Sequence, residues 1–389
     1  MSKIFSSPKT LVTLILVVAV FGLSVVGGAL GAPFGLGFLG APIAAIELPA
    51  EKAFTIGSYE VKNTSIMLWI GGVLLTLIAF FGTRKIRSKS PEADVPTGLQ
   101  NFLEVIVEFF INLAESAAGG RQGRKFLPLV VTIFLVVVMS NWLSVLPGVG
   151  TIGWIETSAE FVEHREEAIE EAERSGGEAK FKSPDLVIFT GGGGLKIIPF
   201  GRGSQDAVPL ASLDFEEGGH GIELVRPELL DEKFDKGLLA GIESNDVVLA
   251  EDVGILVPFL RGANTDVNTT LSIALVAMFM VQVWGFRSLG FRGYGGKFIN
   301  LKQGPIFFFV GILEIIGELA RTISFTFRLF GNMFAGEVLL VAMAFLFPLI
   351  GIIPFIGLEL FVGVIQAFIF AMLTLVFATL ATIGHGEEH

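Results

Sequence analysis

The stretch TISFTFRLFGNMFAGEVLL, residues 322–340, sets one arginine, Arg328, in the middle of an apolar run. At the centre of a bilayer an arginine costs roughly 2.5–3.5 kcal/mol on insertion scales. A residue kept there against that cost has a task, in an ion route or in a buried ion pair. On a helical wheel Arg321, Ser324, Arg328, Asn332 and Ala335 share one stripe, with Glu314 near it. Glu337, nine residues after Arg328, points nearly opposite. In the last apolar region Glu359 and Gln366 are seven residues apart and share a face, the natural place for Glu337 to look. Two groups of carboxylates therefore lie at different depths, with one fixed cation between them. A guanidinium does not release its proton at physiological pH, so Arg328 is a poor relay and a good electrostatic barrier. The pattern describes an ion pathway. Two plainer readings stand beside it: a structural ion pair for Arg328, and hydrated helix-end carboxylates for Glu337 and Glu359.

The solvent follows from composition. Of 389 residues 52% are hydrophobic and 17% charged, with 37 Phe, and mean hydropathy is +0.71. These values describe a membrane protein. The absence of cysteine excludes disulfides and thiolate chemistry. A net charge of -11 argues against nucleic acid as a partner. Much of the acidic excess falls in one polar block, residues 156–252.

Uncharged stretches of about 20 residues, the length of a membrane helix, occur at 11–31, 63–83, 126–147 and 267–286, followed by longer apolar regions at 303–353 and 360–384. Basic residues cluster at RKIRSK (84–89), RQGRK (121–125) and 287–302, which the positive-inside rule places in the cytoplasm. The first segment is either a spanning helix or a cleaved secretory signal; both leave the next segment starting outside. LQNFLEVIVEFFINLAES carries Asn101, Glu104, Glu108, Asn112 and Glu115 on one stripe. It reads as an amphipathic helix lying at the interface, in preference to a spanning one. Residues 303–350 would form about 70 Å of helix, more than twice the hydrocarbon thickness, so this helix must tilt, break or both. Gly311, Gly317, Gly331 and Gly336 would let a neighbouring backbone approach it.

Residues 151–265 fall outside the membrane. A capping-box pattern from Thr157 to Glu160 predicts a charged helix stopping near Gly176, and DLVIF, LKIIPF and DVVLA read as short strands of a small α+β or irregular insert. GGGGLK (191–196) lacks phosphate-loop spacing and reads as a flexible turn. The terminal HGEEH is not H-E-x-x-H and reads as a solvated tail. No metal, cofactor or nucleotide site is expected. Four regions result: 1–62, an N-terminal signal or extra helix with an outer segment; 63–150, the first core helices; 151–265, the insert; and 266–389, the helices carrying the ion pathway.

RLFGNMFAGE (328–337) followed by QAFIFAMLT (366–374) resembles subunit a of the F-type ATP synthases. VPTGLQNFLEVIVEFFINL (95–113) is similar to that family's interfacial helix. NWLSVLPG (141–148) resembles the end of the following span, and NTDVNTTLSIAL (264–275) the start of the next. The resemblance implies an all-α membrane protein of five or six spans with a long tilted C-terminal helix pair. It implies that Arg328 faces the carboxylate of a rotating ring. Asn332, Glu337 and Gln366 would line an outer half-channel, joined by Glu359 where some members carry histidine. Glu314, Arg321 and Ser324 would lie toward the inner half-channel. Asp266 and Asn268 match a polar start of the fourth helix, where helix capping is an equal reading. The implied partners are a c-ring of small hairpins, a peripheral-stalk subunit b, the remaining synthase subunits and the lipid bilayer. This chain itself would be a non-catalytic, proton-translocating subunit in a bacterial inner membrane, with the insert outside and the C-terminus in the cytoplasm. The insert is longer than the family's usual outer loop. A self-contained transporter or channel, with Arg328 binding an anionic substrate, is the rival; the paired repeats such proteins often show are not visible.

Overall fold

Apolar runs become helices here because backbone groups in hydrocarbon must find their hydrogen bonds within the segment. The computed structural model describes residues 8–27, 30, 34, 50–57, 59–87, 96–146, 149–150, 152–157, 185–187, 189–190, 194–197, 207–209, 223–224, 248–249, 253–298, 305–347 and 352–383. The helices are α1 (Pro8–Gly27), α2 (Asn63–Gly82), α3 (Arg84–Arg87), α4 (Leu99–Ala118), α5 (Gly120–Ser144), α6 (Val267–Phe298), α7 (Pro305–Leu346) and α8 (Ile352–Thr382). Among the described residues six are long and apolar enough to cross a membrane: α1, α2, α5, α6, α7 and α8. The chain is an all-α integral membrane protein in this part.

Two boundaries differ from the sequence reading. α8 begins at Ile352, eight residues before the expected start at 360. Pro354 sits in its first turn, where a missing N–H breaks no helical hydrogen bond. Glu359 consequently lies within the helix and not at its end. α6 continues past 286 to Phe298, with a kink at Gly290, whose φ of 73° is a left-handed value that glycine adopts without strain.

Contacts divide the chain into two units. One comprises residues 64–146, 262–337 and 357–389. Its centre is built on small residues: Gly363, Ala367, Ala371, Thr374 and Ala378 lie at three- and four-residue spacings on α8, all buried. Ala367 packs among Ile133 and Val137 of α5, Ala274, Ala277 and Met278 of α6, and Phe325, Leu329 and Met333 of α7, and Ala371 and Ala378 among Phe110 of α4, Phe126 and Val130 of α5 and Val281 of α6. Lipid supplies no hydrophobic drive between helices, so close van der Waals approach through small residues does this work. Phe325 of α7 meets Phe370 of α8 at 4.6 Å between ring centroids. α4 and α5 form a hairpin turned at Gly119 (φ 75°) and braced by Arg124 Nε donating to Glu115 Oε1 at 2.6 Å. The helices cross so tightly that a Cβ at Gly123 would overlap the Ala114 carbonyl. Gly123→Val is therefore expected to destabilise this hairpin by about 1–3 kcal/mol, the usual cost of overpacking. Reduced amounts of chain in the purified membrane complex would register it; unchanged abundance and thermal stability would count against this crossing.

The other unit comprises residues 1–63, 147–261 and 338–356. Strands β1 (Lys52–Ile56) and β2 (Tyr59–Lys62) form an antiparallel hairpin with a Lys52–Glu60 ion pair at 3.2 Å. Strands β3 (Ile152–Thr157), β4 (Asp185–Val187), β5 (Phe189–Thr190), β6 (Gly194–Ile197), β7 (Ala207–Pro209), β8 (Glu223–Leu224), β9 (Val248–Leu249) and β10 (Val253–Pro258) follow. Four of these form a sheet in the order β5-β10-β3-β6, and β4-β7 and β8-β9 pair separately. Asn63 Nδ2 ties the hairpin to the sheet by donating to Glu51 Oε2 and to the Pro258 carbonyl, each at 3.0 Å. Phe21 of α1 stacks on Phe347 at 5.8 Å.

Two expectations about the insert change. Gly194 to Lys196, expected within a flexible turn, belong to β6, an edge strand held by backbone bonding to β3, which glycine does not prevent. Thr157, expected to cap a helix, is the last residue of β3, paired with Gly254. The helix expected after it, its Glu160 and Gly176, and the tail HGEEH lie outside the described residues.

Candidate functional site

α7 is one unbroken helix of 42 residues. Its Phe325, Thr326, Leu329, Met333 and Gly336 are buried, whereas Ala320, Ser324, Phe327, Gly331 and Ala335 are exposed. Arg328 is half-buried between the two sides, with its guanidinium carbon 6.0 Å from the Phe325 ring centroid. Among the described residues no carboxylate lies within ion-pairing distance of Arg328. The charge stands beside an exposed face on which the small Ala320, Ser324, Gly331 and Ala335 accompany the large Phe327. Of the glycines expected to admit a neighbour, Gly317 and Gly331 meet nothing within 4 Å.

Gly336 does admit one. A Cβ there would overlap the carboxylate of Glu359, which α8 lays directly over the glycine. Glu359 is 6% exposed, and its Oε1 has no hydrogen-bond partner among the described residues. The carboxylate is thus buried, two turns inside the helix. Glu337 follows Gly336 along α7 and is half-buried, as are Asn332 and Gln366. α8 is braced at this level. Asn141 Nδ2 donates to the Gly363 carbonyl at 3.1 Å, Asn264 Nδ2 donates to Asn141 Oδ1 at 2.6 Å, and Trp142 Nε1 donates to the Leu360 carbonyl at 3.1 Å. A buried amide left unbonded costs about 1–3 kcal/mol, so this chain of amides fixes the depth of Glu359.

At the other end of the stripe Glu314 is half-buried and Ser324 exposed. Arg321 Nη1 donates to Glu318 Oε1, one turn earlier. Beside them Tyr294 is 2% exposed, its ring so close over Gly285 that a Cβ there would overlap it, and its hydroxyl donates to Gln282 Oε1 at 2.7 Å. Burial, reinforced by the charges of Glu318 and Glu314, pushes this phenol up to about 12, so it is neutral at physiological pH.

Asp266 caps α6: its Oδ1 accepts from the Asn268 amide at 2.9 Å and its Oδ2 from Thr64 Oγ1 at 3.0 Å. Asn268 is exposed, and its carbonyl accepts from Ser272 Oγ at 2.7 Å. Both have structural work at the start of α6. Glu318, Tyr294, Gln282, Gly336 and Asn264 escaped the sequence reading of the site. Glu318 lay to one side of the wheel stripe, and the others acquire their neighbours only through the fold.

A family model described as ATP synthase A chain matches residues 65–162 and 244–379. The chain belongs to this family. It is therefore a membrane component of the Fo sector, acting in proton transport and ATP synthesis as part of the multi-subunit synthase. Relatives called "ATP synthase subunit a" span nearly their full length on it. The protein of Gloeobacter violaceus is 26% identical over 89% of this chain and 95% of its own length. That of Mycobacterium bovis is 27% identical over 87% and 94%, and that of Moorella thermoacetica 23% over 86% and 97%. The gap between the two matched segments, residues 163–243, lies inside the insert.

Proposed function

We propose that this chain supplies two offset aqueous half-channels to a rotating c-ring and separates them with Arg328. A proton enters from outside past Glu359, Glu337, Asn332 and Gln366, and neutralises a ring carboxylate. That site then turns into lipid, where a charged carboxylate is costly. After nearly a full turn it releases its proton toward the cytoplasm near Glu314, Arg321 and Ser324. Arg328 stabilises the ionised ring carboxylate and blocks direct passage between the half-channels. The observation that carries this reading is the position of Arg328 on α7. It has no carboxylate partner among the described residues and lies beside an exposed strip of Ala320, Ser324, Phe327, Gly331 and Ala335, all small but the phenylalanine. Small side chains let a second helix approach closely, which is what a passing ring helix needs.

In this arrangement 63–150 and 266–389 form the conducting part, α4 lies at the interface, and subunit b packs alongside. The chain sits in a bacterial inner membrane, with residues 151–265 as an extracytoplasmic insert and the C-terminus in the cytoplasm. It binds no nucleotide or nucleic acid. Purification through a tag on this chain is the test. An oligomeric ring of small helical hairpins is expected to copurify. Ion flux through vesicles holding this chain alone would instead favour a self-contained channel.

A further inference from the structure

Trp142 stands two residues before the end of α5 and is 44% exposed. An exposed tryptophan at the end of a span ordinarily belongs to the aromatic belt, its indole N–H turned toward headgroups and water. Here the N–H turns the other way and donates to the Leu360 carbonyl of α8 at 3.1 Å. Asn141, the residue before it, donates from Nδ2 to the Gly363 carbonyl at 3.1 Å and is itself engaged by Asn264. The two helices are close at this point: a Cβ at Gly363 would lie 3.0 Å from the Cβ of Asn141. Leu360 and Gly363 are interior to α8. Their carbonyls serve the helix with one lone pair and α5 with the other.

Glu359 directly precedes Leu360. Its carboxylate is buried over Gly336, and its Oε1 accepts no hydrogen bond among the described residues. With no described donor on that oxygen, the aim of the carboxylate comes from the backbone that carries it. A single bond between α5 and α8 would leave a pivot. Two bonds, to carbonyls three residues apart, fix the rotation of α8 as well as its depth. Rotation matters most at the tip of a side chain: a carboxylate about 6 Å from the helix axis moves about 1 Å for every 10° of turn.

We infer that Trp142 is a positioning residue for proton uptake: its indole N–H holds the rotation of α8 that aims Glu359 into the outer route. This rests on the reading of Glu359 as part of that route. The tryptophan acts on α8 and passes no proton itself.

The test uses the complete synthase in vesicles, with proton uptake from outside normalised to the amount of assembled complex. Glu359→Gln comes first. If it leaves uptake unchanged, the outer-route reading fails and the inference falls with it, whatever Trp142 does. Given a defect there, Trp142→Phe, which keeps an aromatic ring and removes the N–H, is expected to lower uptake about tenfold. A misplacement of 1 Å can cost about a hundredfold, and Asn141 still holds one of the two points. Replacing Trp142 by its benzothienyl isostere, with sulfur in place of the N–H and nearly the same shape, is expected to cost as much. In a chain already carrying Glu359→Gln, Trp142→Phe is expected to cost nothing further, since no carboxylate is left to aim. A tryptophan that only supports the fold would lower uptake by the same factor in both backgrounds. Native uptake with either replacement at 142, or a full further loss on top of Glu359→Gln, overturns the inference. If Trp142→Phe fails to assemble, the isostere decides by the same criteria. Failure of both to assemble also overturns it, because the bond would then serve the fold and not the aim.

Discussion

Arg328→Ala is expected to reduce proton-driven ATP synthesis to background while vesicles carrying the variant leak protons passively. The loss should be complete, because in the proposed cycle this is the fixed charge that keeps the two half-channels from joining. Assembly should survive: Arg328 is only half-buried and fills no core position, and its described neighbour is the ring of Phe325. Arg328→Lys should not restore coupling, since a desolvated ammonium can lose its proton and lacks the planar fork of guanidinium. Synthesis coupled to a proton gradient in Arg328→Ala vesicles would refute the assignment.

The second large effect is expected at Glu359. Replacing it with Gln should slow proton uptake from outside by about a hundredfold, the low end of the contribution of a positioned acid–base group, and alter its dependence on outside pH. Glu359→His should be tolerated, in keeping with the resemblance to members that carry histidine there, and Glu337→Gln with Glu359→Gln should be nearly inactive yet assembled. The structure adds a variant with no change of titratable group. Gly336→Ala places a methyl where the Glu359 carboxylate lies, so it should move that carboxylate and reproduce part of the Glu359→Gln defect. Proton flux measured across a series of outside pH values distinguishes these cases. An unchanged rate and profile in Glu359→Gln would make the residue a bystander and send the outer route through other groups.

The membrane helices were legible because lipid forces each span to be one continuous apolar run, and a run is a local property of sequence. What depended on two distant segments was not. Gly336 was read as a glycine for helix packing, yet its occupant is a carboxylate from another helix. Asp266 fitted both a polar route and a helix cap, and the hydrogen bond to distant Thr64 that accompanies the cap exists only in the fold. Tyr294 gave no sign in sequence, since its place over Gly285 exists only once α6 has turned at Gly290. The last helix was expected from 360, whereas α8 starts at Ile352, and the burial of Glu359 was not foreseen.

The unbroken course of α7 has a geometric consequence. Its apolar stretch, Phe309–Ala344, is 36 residues long, about 54 Å of helix against a hydrocarbon layer of about 30 Å. A straight rod of that length fits inside the layer only when inclined by about 55° to the normal. Each residue then advances the chain by roughly 1.2 Å sideways and only 0.9 Å in depth. From Glu314 to Glu337, 23 residues along the rod, the lateral displacement is about 28 Å, larger than the displacement in depth of about 20 Å. In the proposed cycle, for a ring turning beside this helix, the two carboxylate regions would be stations along an arc as much as levels in the bilayer. The inclination of one continuous helix would then set how far apart around the circle loading and unloading take place.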